Sequence, residues 1–250
     1  LLKDADYRSD ITLPIDDFFK FDQKALVSAT PIELNDPRFK EQNFQTIEIQ
    51  PTFDYKKEIW LHHTNNTLQA FKNVLSKLNN EEAAPLPICV FINSTDIIYS
   101  LMKQLDLLEE SAVFCAPKSV DKLKKNRFCN VYEQWNKDKM KRYNFFTSRF
   151  FNAVDMELEE QPHVIMLTDV YFAEHTMIDP YTDAIQIVGR FRNGVSSITY
   201  ISNTKKGLPQ RSKEEIKGYL ICSKEIYRTM KNFYDCATDR ASRDAYRAAL

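Results

Sequence analysis

The chain has 250 residues, of which 43% are hydrophobic and 28% are charged, and its formal net charge is −1 at pH 7. This composition is typical of a soluble globular protein of one large domain, or of one domain plus part of another. The small net charge excludes a strongly basic nucleic-acid-binding protein, so a polyanionic partner would have to contact a local basic patch. No apolar run approaches the roughly 18 residues that cross a bilayer, and we expect no signal peptide.

The cysteines and histidines give no sign of a metal site. The five cysteines are odd in number and none stands in a C-x-x-C spacing, which argues against structural zinc and against a disulfide framework. His163 and His175 have no Cys or carboxylate partners at ligand spacing. We therefore expect a cytoplasmic protein without a metal ligand set. The chain begins with Leu rather than Met, and we expect it to be a processed chain or a fragment.

The predicted elements are sparse in the first 87 residues. "KALVSATP", residues 24–31, predicts a short buried strand that ends in a turn. "FQTIEIQP", residues 44–51, alternates apolar and polar side chains as a half-buried strand does. Apolar residues at helical spacing in residues 68–78 predict a helix, and residues 79–87 predict a loop.

From residue 88 onward the sequence alternates between predicted strands and helices. The predicted strands are residues 88–94, 111–116, 143–148, 163–170 and 197–202. The predicted helices are residues 97–105, two basic segments at 118–128 and 130–143, residues 181–191, and the tail after residue 207. This alternation favours an α/β fold, a parallel sheet with helices on both faces, followed by a helical tail.

One segment carries an unusual pattern of charge. "QIVGRFR", residues 186–192, places Arg190 and Arg192 two positions apart beside Gly189. A guanidinium stays charged at any working pH and binds phosphate oxygens, and it can stabilise a transferring phosphoryl group. A pair of surface salt bridges is the alternative. Gly189 favours the phosphate interpretation, because a glycine that weakens a helix suggests close backbone approach.

Short polar residues follow three predicted strands, in residues 28–30, 93–95 and 147–149. Binding sites of parallel α/β sheets lie at this edge, where hydroxyl and backbone N–H groups can bind phosphate oxygens. Helix capping is the alternative role for the same residues. The four glycines exclude a G-x-x-x-x-G-K-[ST] loop, because none is followed by Lys-Ser or Lys-Thr.

Together these segments resemble the motifs of superfamily 2 helicases, in the order that the family has them. "QIVGRFRNG" is similar to the final Q-x-x-G-R motif, and "LVSATP" to the Ser-Ala-Thr motif that closes the first RecA-like domain. "VFINSTDIIYSLMKQL" is similar to the strand, turn and helix that open the second RecA-like domain. "FFTSRFFNAVDM" is similar to the penultimate motif, with Thr147 and Asp155 eight positions apart. The resemblance covers residues 25 to about 202.

The resemblance implies parts of two RecA-like domains. Residues 1–43 would end the first domain, 44–87 would be a linker strand and helix, 88–206 would form the complete second domain, and 207–250 would be a helical tail. In the family, ATP with Mg²⁺ lies between the two domains, and its hydrolysis moves them along nucleic acid. The missing triphosphate loop would lie on the N-terminal RecA-like domain of the same parent chain.

The resemblance also implies roles for the arginines. Arg190 matches the first arginine of the final motif and would face the triphosphate. Arg192 is a second candidate for the arginine finger, because the spacing here is G-R-x-R. The common pattern, G-R-x-x-R, has its second arginine where this chain has Asn193. The family often has Gly where this chain has Ala153.

Five further residues receive roles by the same match. Gln186 and Gly189 would contact ATP, or Gln186 would contact the neighbouring motif. Asp155 would contact the ribose or hold an arginine in place. Ser28 and Thr30 would couple hydrolysis to domain movement, with a simple turn at a strand end as the alternative.

The strand-end residues are the candidates for contact with single- or double-stranded nucleic acid, with DNA favoured over RNA: Asn93, Ser94, Thr147, Ser148 and Arg149. Phosphate contacts of this kind give affinity without sequence preference. The basic segments at 118–127 and 137–142 are interleaved with Tyr132, Trp135 and Tyr143, a pattern that can bind single strands by charge and stacking. Two solvated amphipathic helices with buried aromatic residues are the alternative.

Two functions are compatible with these observations. The first is the C-terminal motor half of an ATP-dependent helicase or translocase, an enzyme as the full parent chain and with little ATPase activity alone. The alternative is a non-catalytic RecA-like module that binds nucleic acid or a partner protein. The missing triphosphate loop favours the module, whereas Gln186, Gly189, Arg190 and the Ser-Ala-Thr segment favour the motor.

Overall fold

The computed structural model describes residues 15–28, 30, 34, 36–52, 56–80, 85–152, 154–204, 207 and 211–249. Ala29, Pro31 and Ala153 of the sequence motifs lie outside the described residues. The chain divides into two compact units, Leu1–Thr204 and Lys205–Leu250. In the part of the chain that is described, no helix is long and apolar enough to cross a membrane.

The first unit contains a seven-stranded parallel sheet. Its strands are β1 (Trp60–His63), β2 (Ile88–Phe91), β3 (Ser111–Phe114), β4 (Val131–Tyr132), β5 (Tyr143–Phe146), β6 (His163–Thr168) and β7 (Ser197–Ser202). Their order across the sheet is β1-β7-β6-β2-β5-β3-β4, and every neighbouring pair is parallel. The five predicted strands are β2, β3, β5, β6 and β7. The parallel topology places the carboxyl ends of all strands at one edge.

Helices precede, connect and follow the strands. They are α1 (Ile15–Phe18), α2 (Pro37–Glu41), α3 (Thr67–Asn79), α4 (Thr95–Gln104), α5 (Pro117–Lys125), α6 (Asp183–Gly189), α7 (Lys213–Cys236) and α8 (Arg240–Ala249). In the second unit, α7 and α8 pack together, with the rings of Phe233 and Tyr246 stacked 5.6 Å apart. A capping box between Ser212 and Glu215 begins α7, because the two residues satisfy each other's free backbone N–H groups.

Alternation along the strands divides the core into two layers. On one face, Val90, Val113 and Phe145 pack with residues of α3, α4 and α5. On the other face, the rings of Phe91, Phe114 and Phe146 stack 4.9–5.0 Å apart and pack with residues of α6. The predicted fold class, a parallel α/β sheet with helices on both faces and a helical tail, is confirmed.

Two strands predicted near the start of the chain are wrong. The described residues of 24–31 and 44–51 are in no regular strand, and Val27 is 96% exposed. Ile47 and Ile49 also face solvent. A strand is stable only when a neighbour pairs with its backbone and covers its apolar face, and no described strand lies beside either segment.

A cluster of phenylalanines packs α1 against α2 in this part of the chain. Phe19 and Phe39 are buried, and their ring centroids lie 4.8 Å apart. Phe18 and Phe44 pack around them, with edge and tilted geometries that suit aromatic rings. The cluster joins α1 to α2 and so fixes both ends of the segment that carries Ser28 and Thr30.

The predicted helix at 130–143 is also wrong. Val131 pairs with Val113 in the ladder between β3 and β4, and residues 137–139 form a single 3₁₀ turn. The Asn136 side chain accepts a hydrogen bond from the Asp138 N–H at 2.8 Å, which is the local bond that competes with a continuous helix. The basic residues here lie on a loop.

One edge strand was not predicted from the sequence. All four residues of β1 are exposed, and among the described strands β1 pairs with β7 alone. A four-residue strand that ends in His62 and His63 shows neither apolar alternation nor a buried run. Strand β1 and helix α3 both lie in the predicted linker segment, residues 44–87. Strand β1 belongs to the sheet, and α3 contributes side chains to its core.

Candidate functional site

Helix α6 and the residues after it carry the arginines. Ala184 and Ile187 anchor α6 in the core. Beyond the helix, Met156 and Phe191 form an isolated parallel bridge, in which the Met156 N–H donates to the Arg190 carbonyl at 2.8 Å. The bridge joins the two segments whose sequences resemble the last two helicase motifs. It brings Asp155 beside both arginines.

Asp155 is shared by the two arginines. Its Oδ1 lies 2.7 Å from Nη2 of Arg192 and 3.5 Å from Nη1 of Arg190. The Arg190 side chain is only 15% exposed, whereas those of Arg192 and Asp155 are about half exposed. This geometry is compatible with the predicted alternative in which Asp155 holds an arginine in place. One carboxylate facing two guanidinium groups leaves an excess of positive charge.

Gln186 connects Arg190 to the Ser-Ala-Thr segment. Arg190 donates from Nε to the Gln186 carbonyl at 3.0 Å and from Nη2 to the Gln186 Oε1 at 3.2 Å. The Gln186 Nε2 donates to the Thr30 Oγ1 at 3.0 Å. The Thr30 N–H donates to the Ser28 Oγ at 3.1 Å, so these two residues form a local turn. We refer to Asp155, Gln186, Arg190 and Arg192 as the arginine cluster.

The reason given for Gly189 needs correction. A Cβ built at Gly189 would meet no heavy atom within 4 Å outside its own chain neighbours and helix backbone. Within the described residues, nothing approaches this backbone closely. The packing of the described residues therefore gives no reason for glycine at this position. By contrast, Gly194 has a φ of +89°, which other residues rarely adopt.

The predicted nucleic-acid residues meet at the carboxyl edge of the sheet. The Ser148 N–H donates to Asn93 Oδ1 at 3.3 Å, which links the ends of β2 and β5. Ser94 caps α4 by accepting from the Ile97 N–H at 3.4 Å, as in the capping alternative. Thr147 is buried, while Arg149 is exposed. We refer to Asn93, Ser94, Thr147, Ser148 and Arg149 as the strand-end cluster.

Cys115 lies next to this cluster at the end of β3. Burial, with the nearby Glu133 carboxylate, raises the pKa of the Cys115 thiol to about 12, against a smaller opposite effect of Arg149. The thiol is therefore protonated at neutral pH and is a poor nucleophile. Among the described residues, no group of three His, Cys, Asp or Glu side chains is placed to hold a metal ion.

The aromatic residues of the basic segments are largely used in packing. Tyr143 is buried, and its hydroxyl accepts a hydrogen bond from Asn79 at 2.8 Å. Tyr132 and Trp135 pack against the second core layer. The alternative of amphipathic segments with buried aromatics fits these three residues better than a stacking role does.

A buried carboxylate at the end of β6 was not predicted from the sequence. Asp169 accepts from the Thr67 hydroxyl at 2.7 Å and from the Asn203 amide at 2.8 Å. It also accepts from the backbone N–H groups of Tyr171 and Phe172. These bonds join α3, β6 and β7. The signal that could have found it is an Asp directly after a strand with a long apolar run, residues 164–167, since a buried carboxylate there must be hydrogen-bonded.

Comparison with known proteins gives little to add to this geometry. No family model matches the chain, and no curated protein matches it. Among solved structures, it is similar to the C-terminal domain of the DEAD-box protein Dbp5, at 12% identity and a TM-score of 0.34. The match covers 68% of this chain and 84% of that one. At this level of similarity, the function has to be argued from the residues of the chain itself.

Proposed function

We propose that this chain is the C-terminal motor half of an ATP-dependent nucleic-acid helicase or translocase. In this role it supplies an arginine to the triphosphate and phosphate-backbone contacts to the nucleic acid. The triphosphate loop, which the sequence lacks, would lie on an N-terminal RecA-like domain. The full polypeptide would be the enzyme, and this chain alone would have little ATPase activity.

The observation that carries the proposal is the connection of the arginine cluster to Thr30. Arg190 bonds to Gln186, and Gln186 bonds to Thr30 Oγ1 at 3.0 Å. A surface salt bridge would need only Asp155. Here a relay of hydrogen bonds connects a guanidinium to a hydroxyl in a distant segment. Such a relay can couple anion binding at the guanidinium to movement of that segment.

The donor set of the arginine cluster fits a triphosphate. Two guanidinium groups face one carboxylate, and guanidinium forks bind phosphate oxygens as well as carboxylates. Beside them, the open space at Gly189 leaves the helix end accessible. Arg190 and Arg192 would hold the phosphate oxygens of ATP, while its Mg²⁺ would be held by the other domain. Stabilising charge on the transferring phosphoryl group is the chemistry these side chains can supply.

The strand-end cluster supports the nucleic-acid part of the proposal. Asn93 and Ser148 are tied to each other, and the exposed Arg149 follows directly. The exposed Arg149 guanidinium and the Ser148 hydroxyl are groups that bind phosphate oxygens rather than bases. Such contacts would bind a strand without reading its sequence.

Steady-state ATP turnover tests the proposal. It would be measured for the 250-residue chain and for the natural polypeptide that contains it, each with and without single-stranded DNA or RNA. We expect background turnover for the chain and turnover stimulated by nucleic acid for the polypeptide. A polypeptide without turnover under every condition would overturn the proposal in favour of the non-catalytic module. Robust hydrolysis by the chain alone would overturn the assignment of the triphosphate loop to another domain.

A further inference from the structure

A loop at the carboxyl edge presents large apolar side chains to solvent. It comprises residues 169–178, between β6 and the segment that leads into α6, and we call it the 169–178 loop. Phe172 is 83% exposed, and Tyr171 and Met177 are also exposed. Large apolar side chains that project together from a protein surface mark an interaction site more often than isolated ones do.

Buried hydrogen bonds hold this loop firmly in shape. The Thr168 hydroxyl donates to the Thr176 carbonyl and accepts from the Ile178 N–H, both at 3.1 Å. The Thr176 hydroxyl accepts from the Asp169 N–H at 2.8 Å. The Tyr200 hydroxyl donates to the Ile178 carbonyl at 2.8 Å. A loop whose backbone is tied at both ends in this way loses less backbone freedom when a ligand binds, which lowers the entropy cost of binding.

The loop is fastened directly to the strand-end cluster. Asn93 donates from Nδ2 to the His175 carbonyl at 3.1 Å, and its Oδ1 accepts from Ser148. The exposed aromatic residues therefore share one edge of the sheet with Arg149. Of the two acidic residues in the loop, Asp169 is buried with its donors and does not present its carboxylate to a polyanion, whereas Glu174 is exposed.

We propose that Tyr171 and Phe172 stack against the bases of a single-stranded nucleic acid whose phosphates contact the strand-end cluster. The occupant follows from the pairing of phosphate-type donors with exposed rings, because a single strand offers phosphates and unstacked bases together. A duplex hides its base faces and offers only phosphates. This inference rests on the nucleic-acid part of the proposed function and adds a preference for unpaired bases.

Fluorescence anisotropy with labelled oligonucleotides tests the inference on the 250-residue chain. Stacking contributes about 1–3 kcal/mol per base, or roughly a 5- to 150-fold change in Kd. We expect Phe172→Ala to weaken binding of an oligothymidine about tenfold and Phe172→Trp to restore it. Tyr219→Ala, which removes an exposed ring from α7, should leave the Kd unchanged.

An abasic oligonucleotide of equal length separates stacking from phosphate contact. We expect the chain to bind it more weakly than Phe172→Ala binds oligothymidine, because the Tyr171 stacking is lost as well, and we expect Phe172→Ala to have no further effect on it. Equal Kd values for the chain and Phe172→Ala on oligothymidine would overturn the stacking role and leave the proposed function standing. No binding of any oligonucleotide at low salt would instead contradict the nucleic-acid part of the proposed function.

Discussion

Gln186 donates a hydrogen bond from its Nε2 to the Oγ1 of Thr30, 3.0 Å away and 156 positions earlier in the chain. The two residues belong to the segments that resemble the final and the Ser-Ala-Thr motifs of superfamily 2 helicases. The same Gln186 accepts from Arg190. A change in the hydrogen bonds of Arg190 would therefore affect Thr30 through the side chain of Gln186.

A double-mutant cycle measures this connection. We expect Gln186→Ala and Thr30→Val to show a coupling of about 0.5–1.5 kcal/mol in the free energy of unfolding, because a hydrogen bond of this kind contributes about that much. Urea unfolding can be followed by tryptophan fluorescence, since Trp60 and Trp135 both lie in the unit that contains the sheet. Gln69→Ala paired with Thr30→Val is the control and should be additive. Additivity in the test pair would contradict the contact.

Asp155→Asn should raise the affinity of the arginine cluster for a polyphosphate. The change removes the carboxylate that both arginines share, and an exposed pair of this kind contributes about 0.2–1 kcal/mol. We expect tripolyphosphate to bind roughly two- to fivefold tighter in calorimetric titrations. Asp96→Asn, which frees Lys122 elsewhere, is the matched control. A lower affinity of the Asp155→Asn variant for tripolyphosphate would show that Asp155 does not compete with the anion.

Gly189→Ala should leave the fold unharmed. An added Cβ meets nothing within 4 Å, and alanine is favoured over glycine in a helix by about 1 kcal/mol. We expect the free energy of unfolding to stay equal or rise by up to about 1 kcal/mol. Gly194→Ala should lower it by about 1–2 kcal/mol, because residue 194 has a left-handed φ of +89°. Destabilisation by Gly189→Ala would mean that the helix end packs more closely than described.

The same Gly189→Ala variant separates packing within the chain from packing against a bound molecule. If ATP or another domain approaches the helix end, the added methyl group should lower ATP turnover by the full polypeptide while its stability is kept. Turnover equal to that of the unaltered polypeptide would remove Gly189 from the site.

Asp169→Ala should destabilise the sheet strongly. The change leaves the Thr67 hydroxyl and the Asn203 amide without their buried acceptor, and each such loss costs about 1–3 kcal/mol. We expect a decrease of about 2–4 kcal/mol in the free energy of unfolding by urea. Asp96→Ala, at an exposed ion pair, should cost at most about 1 kcal/mol. Equal effects of the two changes would contradict the buried network.

The sequence was most informative where strands are buried on both faces. Five of the six described strands from residue 88 onward were predicted. Strands β2 and β6 are mostly apolar and buried along their whole length, and such runs can be recognised without knowing their partners. Strand β1 was not predicted because it depends on the pairing of Trp60 with the distant Thr199. Residues 130–143 were predicted as a helix, but Val131 pairs with Val113 in the sheet. Local patterns carry no signal for such contacts.

In the candidate site, too, some features could be predicted from the sequence and others could not. The proximity of Asp155 to Arg190 could be expected only from the resemblance, since the bridge between Met156 and Phe191 joins segments that are distant in sequence. Predictions that were based on a single residue were less successful than those based on the motifs. The glycine at 189 has no packing reason within the described chain, and the buried Asp169 was overlooked because its partners come from two other elements.

ATP turnover by the full polypeptide with Arg190→Ala tests the central claim most directly. If Arg190 stabilises the transferring phosphoryl group, turnover should fall about a hundredfold or more, while the Kd for single-stranded DNA stays nearly unchanged. Arg228→Ala removes an arginine that pairs with Glu225 on α7 and should leave turnover intact. Turnover that is unchanged in Arg190→Ala would contradict the assignment of this arginine to the triphosphate.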